Sequence, residues 1–316
     1  MGVFKGTKSF YEYGVNDALA HNLKSWIEYG LIEVGAYTPI KFDLSTSGYT
    51  NLQPSYDNRY SSTLTTTKVF EGIGPSWVWE SGITGIGSEV PTFPVSGIYI
   101  NNLYLPSDTT GFYAYDIDYK NGRIIFDNAI PVSSGVKCEY VARDVAVYLT
   151  DSPQWKTIIK EYDNYYDNMD DLYPSGLSCT LKENRVWLPT IVIQVEDVTN
   201  RPLQLGGGEY NDFNVKYHVL SDLPFSNKRI SDLLVTQQDK RLNLFDVNEA
   251  PLIYGYNGTL SSGALSYPQL SNRDGEYFWT YASVDKSFGG STEELSDTYT
   301  SQITHIVSVA RYLSTY

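Results

Sequence analysis

Three consecutive glycines, Gly206, Gly207 and Gly208, follow the strand-like run "LPTIVIQVEDVTN" and are the first place to look for chemistry. A glycine-rich loop after a strand holds phosphate when its backbone N–H groups converge on a helix N-terminus, usually with Lys and Ser/Thr following. Here Glu209, Tyr210, Asn211 and Asp212 follow. The next element reads as a strand, and the two acids repel phosphate. The triplet therefore reads as a pliable connection between strands. Nucleophilic chemistry has no better support. There is no G-x-S-x-G elbow, and His21, His218 and His305 fall in one helix-like and two strand-like runs. His305 shares a strand face with Ile303 and Val307, which is the setting of a structural histidine. No HExxH or Cys/His cluster offers zinc ligands. Cys138 and Cys179 are far apart, without CxxC spacing. Asp163, Asp167, Asp170 and Asp171 lack the alternating ligands and turn glycine of a calcium loop, and read as a solvated acidic linker. "DIDYKNG" (Asp116 to Gly122) carries Lys120 where a ligand belongs. The carboxylate pair of a glycoside hydrolase is a spatial arrangement, so 37 acidic residues say nothing about it. No catalytic, cofactor-binding or metal-ligating residue is assigned, and the chain reads as a non-enzyme.

Composition narrows the classes further. The 316 residues carry a net charge of −14, which opposes binding nucleic acid through its phosphates. Such a surface can still border a DNA path that must not adhere. The 28 tyrosines suit both strands and subunit interfaces. No apolar run reaches the roughly 18 residues of a membrane span. "MGVFKGTKSF" has no signal-peptide core, and Gly6 stands where a myristoylation pattern wants Ser or Thr. The expectation is assembly in a reducing cytoplasm, with the sequon Asn257-Gly258-Thr259 a coincidence.

The elements that would position any site read as follows. Leu19, Leu23, Trp26 and Ile27 place a helix over residues 16–30, capped by Asn16 or Asp17 and ended by Gly30. Residues 35–92 have no period and read as extended chain lying against something else, dense in aromatics at "PSWVWESGI". "GIYINNLYLP" and "FYAYDIDYKNGRIIFDN" read as hairpins turning at Asn101-Asn102 and Asn121-Gly122, since Asn-Gly tolerates positive φ. "VKCEYVARDVAVYL" is one further strand, completing a small antiparallel β-sandwich or barrel. Ser152-Pro153 opens a short helix. Ile191, Ile193 and Val195, then Phe213, Val215, Tyr217 and Val219, alternate as core-facing strand residues. A short helix near Ile230 to Leu234 and the strand "RLNLFDV" complete a β-β-α-β unit, and two long strands close the chain as a C-terminal β-hairpin. The fold class is α+β, mostly β. The divisions are 1–92 (helix plus extended assembly segment), 93–150 (antiparallel β), 151–185 (linker with a short helix) and 186–316 (α+β with the hairpin).

"WVWESGI", "YDIDYKNGRIIFDNAI" and the run from Leu188 to Asn248 resemble tailed-bacteriophage virion proteins of the neck, head–tail connector and tail-completion type. The resemblance spans roughly Leu19 to Val247 and stops before Gly255. It implies a structural subunit of a homo-oligomeric ring, commonly six- or twelve-fold. Tail terminator or neck protein is the first choice, from the likeness of the β-β-α-β unit to tail-terminator subunits. The implied partners are copies of itself, a portal or adaptor, and tail tube or sheath proteins. Genomic DNA would pass without specific binding, no membrane is involved, and the location is the virion. Trp77, Trp79 and Glu80, with the Gly206–Gly208 loop, are expected to contact other subunits. A second reading is a carbohydrate- or receptor-binding module of a tail or fibre, with Trp77 and Trp79 stacking on sugars. A glycoside hydrolase is the third.

Overall fold

Apolar residues four apart on one face, Leu19, Leu23, Ile27 and Leu31, are each 5% exposed or less, and they drive helix α1 (Val15–Glu33) onto a sheet. The computed structural model describes residues 14–41, 51–55, 63, 65–80, 94–152, 154, 155, 158, 186–202, 208–249, 260, 264–272, 279–295 and 298–311. Helix α1 starts at Val15, so Asn16 and Asp17 lie inside its first turn, and Gly14 is the N-cap, with no side-chain cap. It also runs past Gly30. Gly35, at φ 84°, stops it: its N–H donates to Ile32 O, and that of Ala36 donates to Leu31 O. This pair of bonds satisfies the last carbonyls, and the positive φ is why a glycine stands there.

The chain then builds a small β unit. Its strands are β1 (Tyr37–Ile40), β2 (Gln53–Ser55), β3 (Thr66–Glu71), β4 (Gly97–Ile100), β5 (Leu103–Pro106), β6 (Tyr115–Asp118), β7 (Arg123–Pro131), β8 (Val136–Cys138) and β9 (Tyr140–Arg143). They form three sheets, ordered β2-β3-β7-β6, β5-β4-β8 and β1-β9, around a shared core that includes Phe70, Trp77, Phe126 and Tyr140. Residues expected to be irregular thus supply three strands, because Val69 and Phe70 are wholly buried there. The turn at Asn101-Asn102 is as expected, with both residues at positive φ (50° and 68°). The β6–β7 connection is longer than expected. Asp118 pairs with Arg123, and only Gly122 has positive φ. The Asp118 carboxylate accepts from Asn121 N–H and Nδ2 and from buried Arg123 Nε at 2.7 Å.

The larger unit is a seven-stranded sheet. It comprises β10 (Ala146–Leu149), β11 (Thr190–Pro202), β12 (Glu209–Ser221), β13 (Arg241–Asn243), β14 (Trp279–Gly289), β15 (Glu293–Leu295) and β16 (Thr298–Arg311). The order is β10-β11-β12-β16-β14-β13, with β15 also on β16; every pairing is antiparallel except β10 with β11. The run "VKCEYVARDVAVYL" is therefore three short strands in three sheets, and its last part links the two units. "RLNLFDV" contributes only Arg241–Asn243 as strand. Helix α2 (Pro224–Val235) takes Pro224 at its first position and buries Ile230 and Leu234. It covers the same sheet face as α1, that of Phe213, Val215, Tyr217, Val219, Ile303 and Val307. A short helix α3 (Tyr267–Ser271) opens with a Ser266/Gln269 capping box. The fold is α+β and mostly β, and no helix among the described residues is long and apolar enough to cross a membrane.

Candidate functional site

Trp77, expected at a subunit surface, is 0% exposed, and Trp79 is 9% exposed. The Trp77 ring stacks on Tyr140, with centroids 4.1 Å apart and planes 21° apart. The Trp77 backbone N–H donates to Tyr119 O at 2.7 Å. Gly72 is the residue this packing requires, since a Cβ there would lie 2.6 Å from the Trp77 ring and 2.6 Å from the Tyr140 hydroxyl. The expectation fails because a mixed-polarity segment with two tryptophans is read as surface only if nothing in the same chain covers it. Here β9 and the β6–β7 connection do. Glu80 is buried as well. Its Oε1 accepts from Arg143 Nη2 at 2.5 Å, and Arg143 Nη1 donates to Glu28 O in α1. Burial lowers the Arg143 pKa, but the carboxylates of Glu80 and Glu28 outweigh this and hold it above the ordinary value. The Glu80 and Arg143 side chains and the Glu28 carbonyl tie α1, the 75–80 segment and β9 together, and neither side chain offers a sugar or a neighbouring subunit a free surface.

Gly206 and Gly207 lie outside the described residues; Gly208 has φ 107°. Pro202 pairs with Glu209, so the glycines belong to the hairpin connection between β11 and β12. A strand follows, where a phosphate loop would have a helix N-terminus. The acidic run at Asp163 to Asp171 and Cys179 also lie outside the described residues, whereas Cys138 is buried, and burial pushes its thiol pKa well up. Asp118 is committed to Arg123, at 0% and 1% side-chain exposure. Among the described residues no three His, Cys, Asp or Glu side chains converge as a metal would need.

His305 lies in the core under α2. A carbonyl can only accept, so Nε2 carries the proton and donates to Leu234 O at 3.0 Å. Nδ1 and the Tyr217 hydroxyl both lack a partner among the described residues, and the two rings meet edge-on at 4.6 Å. Burial pushes the His305 pKa down to about 4, against the opposing effect of the Leu234 bond.

The opposite face of the large sheet carries no helix from α1 or α2 and holds an open groove of about 820 Å³. Alternation sends His218 from β12 and Gln302 and Thr304 from β16 to this face, because their odd-numbered neighbours fill the core. Trp155 stands on one side, its ring 5.0 Å from that of His218. Phe288, 52% exposed, stands on the other at the end of β14. His218 Nε2 donates to Gln194 Oε1 at 2.8 Å, leaving Nδ1 as an acceptor. Burial, and secondarily Lys216, lower the His218 pKa, with Glu196 opposing. Gly290 shapes the far wall: its N–H donates to Gln302 O at 2.9 Å, and a Cβ there would strike that oxygen at 2.5 Å. Sequence reasoning missed this site. The available signals were "FGGS" after a strand and the polar residues alternating along β16.

Exposed apolar side chains gather elsewhere. Leu103, Tyr104, Phe112 and Tyr113 are 39–61% exposed on the β4–β5 hairpin and the loop before β6. Leu223 and Phe225, at 56% and 75%, stand at the start of α2 in the other unit. Compared with family models, curated proteins and solved structures, the chain matches none.

Proposed function

We propose that this chain is a structural subunit of a homo-oligomeric ring, of the neck or tail-completion type in a tailed bacteriophage virion. A tail terminator or neck protein is the leading form. The observation that carries the ring is exposed apolar side chains on both units: Leu103, Tyr104, Phe112 and Tyr113 on one, taken as patch A, and Leu223 and Phe225 on the other, taken as patch B. Exposed apolar clusters mark interaction surfaces. When patch A of one subunit meets patch B of the next, the contact is heterologous, and repetition closes a ring when the rotation from one subunit to the next divides a full turn. The net charge of −14 supports a channel through which DNA slides without adhering. The phage-like phrases quoted above supply the particular class, with a portal or adaptor and tail proteins as neighbours.

The test is mass measurement after size-exclusion chromatography, with negative-stain images of the same fractions. Phe225→Asp spoils one patch and Leu103→Asp the other. The wild type should form rings and each variant alone should be monomeric. An equimolar mixture should give dimers, because only one intact pair of patches remains. A wild-type monomer that also stays out of purified necks and tails would sink the proposal.

A further inference from the structure

We propose that the groove on the face of the large sheet opposite α1 and α2 binds a neutral oligosaccharide. The volume, about 820 Å³, lies within the roughly 300–1,000 Å³ usual for ligand pockets. Its chemistry selects the ligand class. Two aromatic side chains, Trp155 and Phe288, flank a floor of neutral hydroxyl and amide groups. Aromatic faces suit the C–H faces of pyranose rings, because each ring carries a negative π-face. Gln302 and Thr304 supply both donors and acceptors, and each makes no side-chain hydrogen bond among the described residues. They are therefore free to exchange water for sugar hydroxyls. His218, held by Gln194, adds an acceptor at Nδ1.

Charge excludes the competing classes. Among the described residues the lining holds no Lys or Arg, and the one carboxylate among them, Glu293, accepts hydroxyl hydrogen bonds but repels anions. Phosphorylated and sulfated ligands are disfavoured on that ground. An extended peptide is disfavoured on geometric grounds. The floor is the side-chain face of β12 and β16, each already paired on both edges, so no row of backbone groups is open to add a strand. Nothing in this inference depends on the ring; it can stand or fall by itself.

The experiment is isothermal titration of the full chain with neutral hexose and N-acetylhexosamine oligosaccharides, four to six sugars long. A pool of uncharged hexapeptides runs in parallel. At least one oligosaccharide should bind, and Phe288→Ala and Gln302→Ala should each weaken it about tenfold or more. Both side chains are exposed, so these variants should keep the wild-type circular dichroism. Phe225→Ser, outside the groove, should leave binding unchanged. No binding of any oligosaccharide at millimolar concentration overturns the inference. So does sugar binding that ignores both groove variants, or binding of peptides alone.

Discussion

His305 should make the protein's stability depend on pH between about 4 and 6.5. In the folded chain its pKa is depressed to about 4, because the ring is 0% exposed and Nδ1 has no acceptor to receive a second N–H. In the unfolded chain it titrates near the ordinary 6.5. The unfolded state therefore binds the proton first as pH falls. Stability is fully present above about pH 6.5, drains as pH drops, and has lost this contribution by about pH 4. The gap between the two pKa values corresponds to roughly 3 kcal/mol, at a slope of at most about 1.4 kcal/mol per pH unit. The assay is urea unfolding of wild type and His305→Gln from pH 7.5 to 4, at one fixed protomer concentration. Glutamine keeps a donor for Leu234 O but does not titrate. Carboxylates titrate in both proteins, so the difference between the curves isolates the imidazole. The variant should start weaker at pH 7.5, having lost the Tyr217 ring contact, and the gap should close by roughly 3 kcal/mol toward pH 4. Two parallel curves would refute the reasoning, since they would mean that the imidazole accepts a proton in place.

The other buried groups give three stability predictions. Trp77→Ala should cost about 3–5 kcal/mol in denaturant unfolding, and Gly72→Ala about 1–3 kcal/mol by forcing a methyl against Trp77 and Tyr140. A Trp77→Ala protein as stable as wild type would show that the indole is not core. Glu80→Gln should cost about 3–5 kcal/mol by leaving the Arg143 charge buried. Adding Arg143→Met to Glu80→Gln should recover part of that loss, so a strictly additive double variant would count against a coupled pair.

The helix and the long strands were legible in the sequence, and the groove was not. Leu19, Leu23 and Ile27 declare α1 because helix period and apolar spacing coincide over several turns. The end of α1 was misplaced, because Gly30 and Gly35 look alike locally, and only the second adopts positive φ. The groove draws on Trp155, His218, Phe288 and Gln302, which come from four separate segments. No local pattern joins them; the pairing of β12, β16 and β14 does.

By itself the sequence determined what each segment prefers. Alternation along β12 and β16 sets one apolar and one polar face, the Asn101-Asn102 pair tolerates the positive φ of its turn, and the charge of −14 sets the character of the surface. These are local or summed properties, present before any folding. Only the tertiary structure decided which surfaces meet. It split residues 136–149 among three sheets, buried Trp77 against Tyr140, and paired Glu80 with Arg143. The reason is that an apolar or charged side chain gains the same free energy from any suitable partner, while the partner it finds depends on strand register and chain connectivity far away in sequence.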